Sequence, residues 1–377
     1  MYFRLNPECY FIKGRNNGAI FDLIEGKTYS LNSEETGILS LCENNLPITQ
    51  DYELLFQLKD LCLGNFYKEK PYIQKIKIDP SNDDEYQNLE FYRAYLEINN
   101  SCNKDCNFCG SPTKRSLGCL GCNKWDGKEV SLDIERWKEI IDELVNLGCQ
   151  EIYIKGGDLT LDWAKTLEIL DYVNGKFLNI QITLNEYNIS KDIIQDIDNR
   201  ANLIIQIEDI KHIGTFENAT YILIVYDSDP LKYENLDNEN VLKDYIIEKS
   251  RINNVLPAIS KKTFPHFDLK QFLNNIEYHP CLGHIITISY DGKVLICPMM
   301  RSNVIGDLKS NNLHEIFKEE YERIKKFWKC TLDNIEKCTE CEFRYACMDC
   351  RALEEVLTEN FNKKALCDYN PISGERL

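Results

Sequence analysis

Ala94-Tyr95-Leu96-Glu97-Ile98-Asn99-Asn100-Ser101-Cys102-Asn103-Lys104-Asp105-Cys106-Asn107-Phe108-Cys109 joins a short apolar run to a loop that carries three cysteines. Ala94–Ile98 has the length and apolar content of a short buried strand, and the cysteines begin just past its carboxyl end. Downstream, Trp137, Ile140, Ile141 and Leu144 recur at i, i+3, i+4 and i+7 with Gly148 as a stop, the pattern of an amphipathic helix. Further short apolar runs follow at Glu151–Ile154, Ile180–Leu184, Leu203–Ile207, Tyr221–Val225 and Val255–Ile259. Strands alternating with helical stretches at this spacing imply an α/β class built of βα units around a parallel sheet. In such folds the active site lies at the carboxyl ends of the strands, where the cysteine loop begins.

The chain has 377 residues, enough for two or three domains, and 43% of them are hydrophobic. With 44 basic and 61 acidic residues the net charge is −17, which argues against a nucleic-acid surface, since phosphate contact needs clustered Lys and Arg. No apolar run has the length of a membrane span, and Met1–Glu8 lacks the apolar core of a signal peptide, so the expected location is the cytoplasm. Thiols are kept reduced there, which makes the 17 cysteines the anomaly to explain. Five fall within Cys102–Cys122 and eight within Cys281–Cys367, and such clustering points to metal ligands. The scattered Cys9, Cys42, Cys62 and Cys149 are expected to pack in cores as small hydrophobes.

Residues 1–80 read as a separate α+β unit. Two strands, Cys9–Lys13 and Ala19–Leu23, flank a Gly14–Gly18 turn; a third follows near Thr28–Leu31, and Ser33 is expected to cap a helix through Leu41. Pro80–Glu85 is polar and turn-rich and reads as a linker. The βα region then covers residues 91–277. From residue 278 to 377 periodicity fades and cysteines become dense, as in a small metal-nucleated domain. Within it, Ile286–Cys297 alternates around Asp291-Gly292, a hairpin signal.

Cys102, Cys106 and Cys109 have C-x3-C-x2-C spacing, which can hold three irons of a cubane and leave the fourth without a protein ligand. These cysteines, the aromatic Phe108 before the last of them, and their place after a first strand resemble the radical SAM superfamily. The resemblance implies S-adenosylmethionine on the open iron of a 4Fe–4S cluster and its one-electron cleavage to a 5′-deoxyadenosyl radical. Lys155-Gly156-Gly157-Asp158 matches the family's Gly-Gly-Glu segment, with Asp for Glu, and Asn185 and Gln206 match further cofactor-contact positions. A zinc knuckle completed by Cys119 and Cys122 is the alternative for the first cluster; otherwise an added metal ligand, a redox pair near the active site and a structural role all stay open for those two cysteines.

Cys281, Gly292, Cys297, Cys338, Cys341, Cys347, Cys350 and Cys367 resemble the SPASM extension, with x2 where x3 is usual before Cys350. That resemblance implies two auxiliary iron–sulfur clusters, with Cys338, Cys341, Cys347 and Cys367 on the outer one. Cys281, Cys297 and Cys350 would bind the inner one, its fourth position filled by Cys330 or left open for a substrate thiolate. A structural zinc domain is the alternative here. The first eighty residues resemble a PqqD-like recognition element, a winged-helix-like unit that binds a precursor leader by strand addition. Together these resemblances imply a partial (β/α)6 TIM-like barrel between the recognition unit and the SPASM domain. They imply a maturase of a ribosomal precursor peptide that forms thioethers, as in sactipeptide and ranthipeptide synthases. Its electron donor would be a flavodoxin or ferredoxin. Carbon–carbon crosslinking and sulfatase-type maturation are the enzymatic alternatives, and a non-catalytic peptide-binding or electron-transfer protein is the alternative outside that class. No general base is visible by motif, and Glu97, Glu186, Asp209 and Tyr226 are read as solvated polar residues near strand ends.

Overall fold

The amino-terminal turn at Gly14–Gly18 does join two antiparallel strands. In the computed structural model, which describes residues 1–77, 91–125, 131–260 and 267–376, β1 (Tyr2–Leu5) precedes the meander β2 (Cys9–Lys13), β3 (Gly18–Asp22) and β4 (Lys27–Leu31). Helices α1 (Ser33–Glu43) and α2 (Glu53–Asp60) follow, and β5 (Gly64–Tyr67) returns to pair with β1. The cap of α1 is Asn32, one residue earlier than expected. Its side chain accepts from the Glu34 and Glu35 amides at 2.9 and 3.0 Å, and Glu35 accepts in return from the Asn32 amide. Phe3, Leu5, Ile20, Leu39, Leu55 and Leu58 form this unit's core. Cys9, Cys42 and Cys149 are buried as expected, but Cys62 is exposed, because it occupies the positive-φ position (60°) just after α2, outside the core. The expected linker Pro80–Glu85 lies outside the described residues.

The parallel strands come next. They are β6 (Arg93–Glu97), α3 (Ile134–Asn146), β7 (Glu151–Lys155), α4 (Trp163–Val173), β8 (Asn179–Asn185), α5 (Lys191–Ile197), β9 (Asn202–Ile207), β10 (Thr220–Val225) and β11 (Val241–Tyr245) with their intervening helices. Six strands, β6 to β11, pair in parallel and in chain order, which is the expected partial (β/α)6 arrangement. Helix α3 buries Trp137, Ile140, Ile141 and Leu144 completely, and Gly148 takes φ +82° where the chain turns back to β7.

One strand was misplaced by its letters. Val255–Ile259 is not a strand but part of α6 (Ile252–Ser260), and the sixth strand is β11. The run hid because β11 carries Lys243 and Asp244, both buried: Lys243 Nζ donates to the Tyr233 carbonyl, and Asp244 is ion-paired. A polar residue satisfied inside a core does not look apolar in sequence.

After α7 (Leu269–Glu277), β12 (Ile285–Ile288) joins the free side of β6 in parallel, and β13 (Lys293–Leu295) and β14 (Val304–Asp307) extend the sheet antiparallel. The expected hairpin is thus present, with Gly292 at φ +88° in its turn. The resulting nine-stranded sheet runs β11-β10-β9-β8-β7-β6-β12-β13-β14, so the strand that feeds the cysteine loop is internal. Helices α8 (Leu313–Glu319), α9 (Tyr321–Trp328) and α10 (Arg351–Thr358) bury Phe317, Trp328 and Leu353 in the same core as the barrel strands. The other face of β3 packs in a separate cluster with α7: Phe21 lies 5.3 Å from Phe267 and 4.9 Å from Phe272, ring to ring. Strands β15 (Tyr369–Asn370) and β16 (Glu375–Arg376) end the described chain. No described helix is long and apolar enough to cross a membrane.

Candidate active site

The loops leaving β6 and β7 are fastened to each other by backbone and amide groups. Asn99 Oδ1 accepts from the Gly157 amide at 3.0 Å, Asn99 Nδ2 donates to the Asp158 carbonyl at 2.9 Å, and the Asp158 amide donates to the Ser101 carbonyl at 2.6 Å. The approach is so close that only glycine fits. A Cβ on Gly156 would stand 2.4 Å from Asn99 Oδ1, and one on Gly157 would stand 2.2 Å from the Ser101 carbonyl oxygen. The Gly-Gly pair therefore positions the stem of the cysteine loop.

Beyond that stem, Cys102, Cys106 and Cys109 ring a cleft of about 280 Å³ together with Cys122, Asn123, Lys124, Gly157, Asn185, Tyr187 and Gln206. The Cys106 and Cys109 thiols hydrogen-bond each other, which lowers the pKa of Cys109 and raises that of Cys106; Arg115 and Lys124 add positive charge beside Cys109. Cationic neighbours favour the thiolate form that a metal ligand requires.

The predicted cofactor-contact residues divide into two groups. Gly157, Asn185 and Gln206 line the cleft. Asp158 is buried and committed elsewhere: its carboxylate accepts from the Thr160 amide at 3.1 Å and hydroxyl at 2.6 Å, and from Asn188 Nδ2 at 2.7 Å. Phe108 points into a small core with Ile224 and Ile246, and its ring lies 5.2 Å from the Arg115 guanidinium. Asn185 Oδ1 accepts from the Tyr187 amide at 3.1 Å, and Gln206 Oε1 from Arg115 at 2.7 Å.

Sequence reasoning missed several groups at this site. Arg115, 1% exposed, pairs with Asp244 at 2.6 Å and donates to the Cys122 carbonyl at 2.7 Å. Glu208 accepts from both Tyr187 and Tyr226, the latter at 2.8 Å, and Tyr226, like Cys106, packs against the small core of Phe108, Ile224 and Ile246. Lys104 sits 3.9 Å from the Tyr187 ring centre. No spacing rule could have found these, because their positions come from the ends of four strands, β6, β8, β9 and β10. Glu97 corrects a second expectation: it is fully buried rather than solvated, accepting from Trp125 Nε1 at 2.9 Å and Arg301 at 2.6 Å. It ties β6 to the segment after β13.

The carboxy-terminal cysteines form a second constellation. Cys338, Cys341, Cys347 and Cys367 surround about 340 Å³ of empty space, with Lys337, Arg344 and Lys364 on the same wall. Four thiols and three cations suit a cluster whose thiolate-ligated form is anionic. Cys330 packs with Leu332, Ile335, Cys338 and Cys347 at the edge of this group. Cys281 and Cys350 are held in register by His279, which accepts from the Cys281 and Leu282 amides at 3.0 Å through Nδ1 and faces Asp349 at 3.0 Å through Nε2. Cys297 and Cys350 pack in or against the main core. Among the described residues no three His, Cys, Asp or Glu side chains converge as they do around a single metal ion.

A partial barrel with three thiols at the mouth, followed by a cysteine-dense extension, defines a class. Residues 96–208 match the Radical SAM superfamily and residues 281–342 match SPASM, an iron–sulfur cluster-binding domain. The chain thus carries a radical SAM domain and a SPASM domain, which take S-adenosylmethionine and a 4Fe–4S cluster, with auxiliary iron–sulfur clusters in the SPASM region. Among solved structures its fold is similar to that of SuiB from Streptococcus suis, at a TM-score of 0.50 and 11% identity over 96% of this chain and 99% of SuiB. SuiB bound to S-adenosylmethionine gives the same TM-score of 0.50 at 12% identity, over the same 96% and 99%. Among curated proteins no sequence relative matches the chain.

Proposed function

We propose that this radical SAM enzyme matures a ribosomal precursor peptide, docking the leader on residues 1–80 and joining a peptide cysteine sulfur to a carbon as a thioether. The observation that carries the peptide reading is the open edge of β4. Among the described residues β4 pairs only with β3, and its Lys27, Thr28 and Ser30 are exposed. An unpaired strand edge presents backbone donors and acceptors to an extended peptide.

Residues 91–277 form the catalytic barrel in this reading and residues 278–377 the auxiliary-cluster domain. Cys102, Cys106 and Cys109 ligate the catalytic cluster. Gly157, Asn185 and Gln206 border the cofactor, Gly156 and Asp158 hold the loop behind it, and Phe108 packs beneath it. When bound, the cluster and S-adenosylmethionine supply a one-electron cleavage that yields a hydrogen-abstracting carbon radical. The bonds broken in the peptide are C–H and S–H and the bond made is C–S. The hydrogen atom leaves with the deoxyadenosyl group, the thiol proton goes to solvent, and the remaining electron goes to an auxiliary cluster. Cys338, Cys341, Cys347 and Cys367 hold the outer auxiliary cluster, and Cys281, Cys297 and Cys350 the inner. A flavodoxin or ferredoxin of the cytoplasm supplies the first electron. Glu208, fixed between the hydroxyls of Tyr187 and Tyr226, walls the mouth on the Cys106 side and keeps a carboxylate there.

The test uses the reconstituted, reduced enzyme without oxygen. It should release 5′-deoxyadenosine from S-adenosylmethionine, and added leader peptide should slow hydrogen exchange at the β4 amides. Full iron loading without that product would overturn the enzyme reading. Leader binding that protects some other edge would overturn the docking site. A crosslinked product that keeps its cysteine thiols free would assign carbon–carbon bond formation instead.

A further inference from the structure

Cys119 has no partner in the usual arrangement of either cysteine group, yet its turn is among the most tightly held in the molecule. Lys155, fully buried on β7, donates from Nζ to the Gly118 and Cys119 carbonyls at 2.9 and 2.8 Å. Thr183 Oγ1 donates to the Leu120 carbonyl at 2.7 Å, and Asn123 Nδ2 donates to the Gly118 carbonyl at 2.8 Å. The Leu117 amide donates to Asp244 at 2.8 Å. Three strands of the barrel thus fix one short turn.

That turn lies against the auxiliary cysteines. A Cβ on Gly118 would stand 2.4 Å from Met299 Cε, so the backbone at residue 118 abuts the segment carrying Cys297, whose carbonyl accepts from the Met300 amide at 3.0 Å. Cys119 packs at the edge of the same core as Cys297, Met299, Met300 and Cys350. Cys330 packs elsewhere, against Leu332, Ile335, Cys338 and Cys347 beside the outer cysteines. Three residues further along the turn, Cys122 faces the other way and lines the cleft of Cys102, Cys106 and Cys109.

We propose that Cys119 supplies the fourth thiolate of the inner auxiliary cluster, beside Cys281, Cys297 and Cys350. This inference rests on the assignment of those three cysteines made above. As the sulfur–iron bond forms, the Cys119 thiol proton is released to water. The cluster then has no open iron, so a substrate thiolate does not bind it directly; its part is to accept an electron. One turn also places ligands or lining residues at both the catalytic and the inner auxiliary site, which fixes the distance between them.

The experiment works in the C102A/C106A/C109A background, where only auxiliary clusters remain. The parent should hold about eight irons, and the electron paramagnetic resonance spectrum of its reduced form should not change on adding 2-mercaptoethanol. Cys119→Ala should either lose iron or acquire a spectrum that shifts with the added thiol. Cys119→Ser, isosteric in the turn, keeps the test readable if the alanine variant does not fold, because an oxygen ligand also moves the spectrum. Cys330→Ala should match the parent. Cys119→Ala with parental iron and a spectrum indifferent to thiol would overturn the proposal, as would Cys119→Ser with the parental spectrum or a parent that already shifts with thiol. If Cys281→Ala also leaves iron and spectrum unchanged, the underlying assignment of the inner cluster is what fails.

Discussion

Arg115 carries its charge where water cannot reach it. Its guanidinium pairs with Asp244, donates to Gln206 and the Cys122 carbonyl, and lies over the Phe108 ring. A buried ion pair adds little net stability, but removing one partner strands the other. Arg115→Met should therefore destabilise the iron-loaded protein by about 3–5 kcal/mol in denaturant titrations. Arg115→Lys should also weaken it, since a point charge cannot replace the planar fork. A Met variant as stable as wild type would mean that Asp244 is protonated or hydrated. Nothing in Thr113-Lys114-Arg115-Ser116 marks the arginine as internal, since the stretch reads as a polar surface loop. The cysteines differ: their spacing is written on one local loop, so Cys102, Cys106 and Cys109 are legible before any fold is known.

At the scale of elements, the site depends on how closely two strand-to-loop junctions meet. Gly157→Ala drives a Cβ to 2.2 Å from the Ser101 carbonyl oxygen, one residue before Cys102. Iron should fall by about four atoms from about twelve, the content of one cubane, and S-adenosylmethionine cleavage should fall with it. Gly37→Ala is the control, because within α1 nothing lies within 4 Å of its new Cβ. It should leave iron unchanged and add up to about 1 kcal/mol of stability, measured by thermal melting. Equal iron in both variants would show that the Gly157 junction can relax. The same scale explains the one misread element. Period and apolarity found β6 to β10 and α3, where runs of apolar residues outweigh the few buried polar ones such as Glu97 and Lys155. They failed at β11, where Lys243 and Asp244 are buried with partners, and at α6, whose apolar run has no strand neighbour.

Across the whole molecule, the barrel and the carboxy-terminal region are stabilised differently. The barrel strands share one extensive apolar core. Residues around the outer cysteines have a small core of Leu332, Ile335, Cys338 and Cys347, with short helices and two-residue strands. On the ligation proposed above, thiolate–iron bonds supply much of their folding free energy. Anaerobic chelation of iron should open residues 330–377 to proteolysis while the barrel segment survives. Cleavage spread evenly along the chain would show that the cluster is not what organises that region. The buried contacts of Phe21 with Phe267 and Phe272 should keep β3 protected in the same digest.

The sequence by itself determined the order of units, the α/β class, the catalytic cysteine loop and the cysteine-rich extension. Each is set by local spacing or by a short-range period, and both survive in a linear string. Only the tertiary structure decided that Gly156 and Gly157 act by close backbone approach, that Asp158 is occupied by Thr160 and Asn188, and that Glu97 and Arg115 are internal. It also brought the turn carrying Cys119 against Met299, beside Cys297. Those relations join residues far apart in the chain, and the burial that gives them meaning exists only once the sheet has closed around them.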